Sequence, residues 1–240
     1  MKYKLLWEDD FKVDGKPNPE IWQLETGGHG FGNNESQYYT NRLDNAFVKD
    51  GILTIVAKKE DYEHRHYTSA KLTTYGKKWI QYGRVEVMCE LPTGIGTWPA
   101  IWFLGENFKE VGWPLCGEID LMEHVGHNLD VFHFSLHSKD RHYHQQNQFV
   151  EIKKIKGITQ GFHEFAVEWD EHSFTYYVDK KRMAHFEKPK NAPVETWPFD
   201  QRFYLILNIA LGGTWGGQIN DLDLPQSFKF KYVKVYERSE

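Results

Sequence analysis

Phe228-Lys229-Phe230-Lys231-Tyr232-Val233-Lys234-Val235-Tyr236 comes close to a strict two-residue alternation of ring or aliphatic side chains with lysines. A side-chain period of two belongs to a β-strand with one face buried and one face wet. Tyr82 to Leu91 repeats the pattern, with Arg84, Glu86, Met88 and Glu90 set against Val85, Val87, Cys89 and Leu91. Ile52 to Ala57 is a β-branched run that follows the turn signal Asp50-Gly51, and Phe162 to Trp169, Ser173 to Val178 and Phe203 to Ala210 also read as strands. No ten-residue stretch has a helical period. Many short strands separated by Gly, Asn and Asp turns predict an all-β fold, a sandwich of two sheets.

The composition narrows the function. The chain has 240 residues, 40% hydrophobic and 26% charged, enough for one large domain with a real core. No linker, low-complexity segment or internal repeat divides it, so residues 1–240 read as one domain. Lys and Arg number 29 against 34 Asp and Glu, a net charge of −5. That balance argues against a nucleic-acid partner. No apolar run approaches the roughly 18 residues of a membrane span. Aromatic residues make up 16% of the chain, with nine Trp, thirteen Tyr and sixteen Phe. Trp is too large to be hidden easily in such numbers, and flat apolar rings suit ligands with C–H faces and hydroxyl edges, as sugars have. Cys89 and Cys116 read as two small packed side chains; a single bridge between them is left open. The start, Met1 to Phe11, lacks the apolar core of a signal peptide.

The chemistry concentrates between Pro92 and His137. Trp98, Trp102 and Trp113 lie close in sequence to Glu118, Asp120 and Glu123, and these acids punctuate an otherwise apolar run, Gly117-Glu118-Ile119-Asp120-Leu121-Met122-Glu123. Acids in such a strand need partners, because burying an unpaired charge is costly. Strand alternation places Glu118 and Asp120 on one face and Glu123 on the other. One extra residue, a β-bulge at Leu121 or Met122, brings Glu123 back. Paired carboxylates on one face are what glycoside hydrolysis requires, one to protonate the leaving oxygen and one to act at the anomeric carbon. The histidine pairs His64/His66, His124/His127, His133/His137 and His142/His144 have no third ligand at metalloenzyme spacing, so no metal or cofactor is expected.

Glu118-Ile119-Asp120-Leu121-Met122-Glu123 matches the E-x-D-x-x-E signature of glycoside hydrolase family 16. Trp98-Pro99-Ala100-Ile101-Trp102 and Gly112-Trp113-Pro114 frame it as in the laminarinase branch of that family. Asn33 to Tyr39, Tyr67 to Ala70, Tyr82 to Arg84, Trp197 to Asp200 and Leu207 to Gly217 resemble the same branch in the same order. The resemblance spans the chain and leaves no room for an appended binding module. It implies a β-jelly-roll of two curved antiparallel sheets with an open cleft on the concave face. It implies a retaining endo-β-glucanase with Glu118 as nucleophile, Glu123 as general acid/base and Asp120 as the assisting carboxylate. Asn34, Arg84, Trp98, Trp102, Trp113, His137 and Trp215 match positions that line its sugar subsites. The implied substrate is laminarin-type β-1,3-glucan or mixed β-1,3/1,4-glucan. A monomer is expected, acting outside the cell or in the periplasm, where such polymers are found.

Two departures bear on this expectation. Many relatives hold a calcium ion partly through an Asp in the final strand, and here Lys231 stands at that place; a lysine cannot ligate a hard cation. Phe132-His133-Phe134 is bulkier than usual near the cleft, which bears on subsite shape. Two other readings stay open: a hydrolase of an agar-type galactan on the same fold, and a non-catalytic glucan-binding lectin. A sulfated galactan calls for several basic residues among the Trp-rich segments, which show few, and lectins of this kind usually lack one of the paired acids, whereas Glu118 and Glu123 are both present.

Overall fold

Alternation in the sequence becomes two stacked sheets in the computed structural model, which describes residues 2–239. The inner sheet has seven strands, in spatial order Phe149–Lys154, Val131–His137, Glu118–Glu123, Thr97–Gly105, Phe203–Leu211, Lys71–Thr73 and Gln23–Glu25. The outer sheet runs Lys181–Glu187, Ser173–Val178, His163–Trp169, Gly83–Glu90, Gln226–Ser239, Ile52–Tyr62, Arg65–Ser69 and Tyr38–Tyr39, with Lys2–Asp9 beside the last long strand and Ala46–Lys49 beside Ile52–Tyr62. Pairing is antiparallel except where Tyr38–Tyr39 runs along Arg65–Ser69. Helix is limited to short turns such as Phe108–Val111 and Gly213–Gly216. The expected two-sheet jelly-roll is the fold observed.

The core between the sheets is built by the alternation itself. Val85, Val87 and Cys89 from the outer sheet meet Ile101, Phe103, Ile119, Leu121 and Met122 from the inner one. In the final strand Phe228 and Phe230 are buried, then Val233 and Val235, so the buried phase slips by one residue. The slip is a bulge between Phe230 and Tyr232 against Gly83–Glu90, and Lys231 is its extra residue. Lys231 is exposed and rests its ammonium 4.2 Å from the centre of the Phe162 ring.

The strand Phe203–Leu211 is buried on both faces. Phe203, Leu205, Leu207, Ile209 and Leu211 face the main core. On the other side Tyr204 and Ile206 join Leu104 and Cys116 in a second apolar cluster, against which Trp102, Trp113, Tyr75 and Phe108 pack. That second cluster is the floor on which the concave face rests. Cys89 and Cys116 are free thiols in the separate clusters, buried and without a bridge.

Candidate active site

The strand Glu118–Glu123 lies between Thr97–Gly105 and Val131–His137, near the middle of the inner sheet. It starts at Gly117, whose φ is +77°; a Cβ there would come within 2.8 Å of Pro198 Cγ and 3.1 Å of Phe203 Cζ. Only glycine combines that backbone with that close approach. Glu118 then pairs with Leu104 and His137, and Asp120 with Trp102 and Ser135. The register breaks immediately afterwards. Met122 pairs with Ile101 and Glu123 with Ala100 and His133, so one residue is inserted after Asp120. Two residues, Leu121 and Met122, oppose the single Phe134, which is the geometry of a β-bulge. Both are fully buried in the main core with Ile119. The three acids are thereby left on the cleft face together.

The side chains converge. His137 Nε2 is 3.1 Å from Asp120 Oδ2 and 3.7 Å from Glu118 Oε1. The shorter of these is a close approach without hydrogen-bond alignment, since Asp120 Oδ2 has no hydrogen-bond partner among the described residues. Trp98 Nε1–H donates to Glu123 Oε1 at 3.1 Å. Burial, then the charge of Asp120, pushes the Glu118 carboxyl well above the usual carboxylate range, against the pull of His137. Burial and then Glu123 do the same to Asp120, which is 1% exposed. Burial also raises Glu123, while His137 and the Trp98 hydrogen bond lower it. Three carboxylates in one dry site resist simultaneous ionisation, so the cluster retains protons that an isolated surface acid would lose.

Aromatic rings wall the site. Trp98 and Trp102 share the cleft face of their strand, both half-buried. Trp215 stands edge-on to Trp98 with ring centres 5.4 Å apart and meets His133 at 4.6 Å. On the other side Trp113 is surrounded by His137, His142, Tyr143 and His144. His142 precedes a 3₁₀ turn, Tyr143–Gln145, and His144 lies within it.

One expected cleft residue lies elsewhere. Arg84 is on the outer sheet, on the side opposite Val85 and Val87, and so faces away from the cleft. Its guanidinium is held by Glu86 and Glu168 and lies over Tyr177. Alternation places Arg84 on a wet face, but a single strand does not reveal to which sheet that face belongs. Asn34 is exposed, in a loop, with φ of 54°. Its neighbour Asn33 accepts from Tyr143 OH at 3.2 Å, which ties this loop to the cleft wall.

Several residues support the site through contacts that their spacing along the chain does not announce. Trp102 Nε1–H donates to Asn208 Oδ1 at 2.8 Å, Asn208 Nδ2 donates to Tyr39 OH at 2.9 Å, and Tyr39 OH donates to Glu35 Oε2 at 3.2 Å. Gln37 adds a 2.6 Å bond to the same carboxylate. Burial raises the Glu35 carboxyl against these donors and Lys71. Lys71 pairs with Glu25 at 2.9 Å and places its ammonium over the rings of Phe31 and Trp102. These partners are brought together from four separate stretches of chain, which is why spacing could not find them.

Residues 33–233 match the family model described as glycosyl hydrolases family 16. A protein of Rhodothermus marinus named Beta-glucanase is 43% identical over 243 residues, covering 98% of this chain and 85% of that protein. The X-ray structure of the laminarinase from Rhodothermus marinus superposes with a TM-score of 0.96 at 42% identity, covering 100% of this chain and 99% of that one. The crystal structure of laminarinase from Flavobacterium sp. UMI-01 gives a TM-score of 0.90 at 40% identity, over 98% and 100% of the two chains.

Proposed function

Because the chain belongs to glycosyl hydrolases family 16, we propose that it is a retaining endo-β-glucanase cutting β-1,3-glucan or mixed β-1,3/1,4-glucan. The similar Rhodothermus protein is named a β-glucanase, and the two solved neighbours are laminarinases. The observation that carries the reading is the bulge at Leu121 and Met122, which gathers Glu118, Asp120 and Glu123 on the Trp-lined face.

Glu118 is the nucleophile and Glu123 the general acid/base. In the first step Glu123 gives its proton to the glycosidic oxygen while the Glu118 carboxylate bonds to the anomeric carbon, and the leaving sugar departs with that proton. In the second, the Glu123 carboxylate takes a proton from water, whose oxygen bonds to the anomeric carbon as the ester to Glu118 breaks. Two inversions give retention. Asp120 lies beside Glu118, and burial raises both carboxyls, so the pair holds a proton between them that Glu118 must give up before attack. Trp98, Trp102, Trp113 and Trp215 stack on sugar rings, and His137 sets the charge around Glu118 and Asp120.

Lys71 is committed to Glu25, which leaves the Trp102 side of the cleft poor in free cations and disfavours a sulfated galactan. The whole chain acts as one catalytic domain and as a monomer. Its polymeric substrate places its action outside the cell or in the periplasm, and no helix among the described residues is long and apolar enough to cross a membrane.

The test is NMR of the first product formed from laminarin, with lichenan, barley glucan, agarose and xyloglucan as parallel substrates. The β-anomer appears first, and azide partly rescues Glu123→Ala on an activated substrate, yielding the β-glycosyl azide. An initial α-anomer overturns the mechanism. Rescue of Glu118→Ala with the β-azide as product reverses the two roles. Binding of laminarin without turnover makes the protein a lectin.

A further inference from the structure

The acids of the cleft and His137 have a second chemical identity. One ligand-type atom from each of Glu118, Asp120 and His137 lies within 4.8 Å of the others. A tetrahedral ion with bonds of about 2.0–2.2 Å needs ligand atoms about 3.3–3.6 Å apart. The two separations from His137 Nε2, 3.1 Å to Asp120 Oδ2 and 3.7 Å to Glu118 Oε1, bracket that edge length. The third separation, between the two carboxylates, lies within 4.8 Å, and rotation of the Glu118 side chain would close it to that edge.

The rest of the surroundings fits a cation. Asp120 is 1% exposed, and its Oδ2, 3.1 Å from the imidazole, has no hydrogen-bond partner among the described residues. His137 is 5% exposed and its Nδ1 has no partner among the described residues, so no hydrogen bond at Nδ1 fixes the tautomer, and an ion can take Nε2 with the proton left on Nδ1. Glu118 is only half-buried and opens the site to the cleft, where water can fill a fourth position. One imidazole with two carboxylates suits zinc or copper better than calcium or magnesium, which prefer all-oxygen shells. Ligand spacing along the chain could not reveal this set, because His137 reaches Glu118 through strand pairing.

We propose that Glu118, Asp120 and His137 form a binding site for a borderline divalent transition-metal ion, with Zn²⁺ as the type, and that the bound ion inhibits hydrolysis by occupying the carboxylate that must reach the sugar. The ion is an inhibitor and takes no part in the reaction. The inhibition rests on Glu118 being the nucleophile; the binding does not.

Zn²⁺ is titrated calorimetrically into chelator-treated full-length protein, into Asp120→Asn, His137→Gln and Glu118→Gln, and into a His142→Ala/His144→Ala double variant. Co²⁺ absorption reports the donor set. The wild type should bind one ion per chain with a nitrogen-containing shell, and each single substitution should weaken it by about tenfold or more. Zn²⁺ should raise the apparent KM for laminari-oligosaccharides with kcat unchanged. Near-UV circular dichroism decides which variants are folded, and any two of the three suffice. Equal affinity in the folded single variants, or loss confined to the double variant, overturns the site. Binding with unchanged hydrolysis overturns the inhibition. Hydrolysis absent even in chelator would instead refute the glucanase reading, so the two failures are distinct.

Discussion

Glu118 is held ionisable at a cost, and that cost is measurable. Its folded pKa lies above that of the unfolded chain because of burial and then Asp120. For a carboxylate shifted upward, its favourable contribution is complete below the unfolded value, near 4.5, and is lost as pH rises through the folded value. At neutral pH the site is therefore strained by charge. Glu118→Gln removes one member of the cluster while keeping its shape. It should raise stability at pH 7 by about 1 kcal/mol or more, roughly 2–4 °C in Tm. The gain should vanish near pH 4, and calorimetry at the two pH values checks it. An unchanged Tm at pH 7 would mean that the acids do not repel. Trp98 permits a second test at the same scale. Its indole N–H favours the Glu123 anion and so lowers that carboxyl's pKa. Trp98→Phe keeps an aromatic ring but loses the donor. The alkaline limb of kcat/KM, set by a general acid that must be protonated, should move to higher pH. Trp113→Phe, which touches no acid by hydrogen bond, should leave the limb in place.

The bulge is the element-scale feature on which the proposed catalysis turns, and it is legible in the sequence. Strict alternation from Glu118 sends Glu123 to the wrong face, so a chain that uses both acids must insert a residue between them. What the sequence could not supply was the fate of the two side chains involved. Leu121 and Met122 both go to the core, opposite Phe134. Deleting Met122 leaves Glu-x-Asp-x-Glu, in which alternation alone keeps the acids on one face. That variant should retain measurable activity but lose about 2–5 kcal/mol of stability to the cavity. Inserting Ala after Met122 should abolish activity in a folded protein, because Glu123 is turned inward. Laminarin turnover measured beside thermal melts separates the two effects. An active insertion variant would show that Glu123 is not the acid/base. The final strand gives the converse lesson. Its near-alternation announced a strand correctly, yet the bulge at Lys231 shifts the buried phase, and only pairing with Gly83–Glu90 displays the shift.

Across the whole molecule, the limits of sequence reading are those of tertiary contact. Arg84 went to the wrong sheet because a wet strand face looks alike in either layer. The chain from Trp102 through Asn208 and Tyr39 to Glu35 joins residues as much as 169 positions apart. The same contacts that gather the cleft also bury a histidine behind it. His124 follows Glu123, points away from the cleft acids and is 0% exposed, with its ring 5.1 Å from that of Phe132. Neither ring nitrogen has an aligned partner among the described residues, and burial lowers its pKa to about 4. For a histidine shifted downward the stability is complete above the unfolded value, 6.5, and falls as pH drops towards 4, where the folded ring also takes a proton. A shift of that size corresponds to about 3 kcal/mol. The carboxylate cluster works in the opposite direction, gaining stability as pH falls, so the two partly cancel below pH 6.5. His124→Leu removes the histidine's contribution and leaves an apolar side chain in an apolar place. The difference in stability between variant and wild type should therefore grow by about 3 kcal/mol between pH 6.5 and pH 4. Denaturant melts across that range measure it directly, and parallel curves for the two proteins would show that His124 is solvated or hydrogen-bonded and does not set the acid limit of the fold.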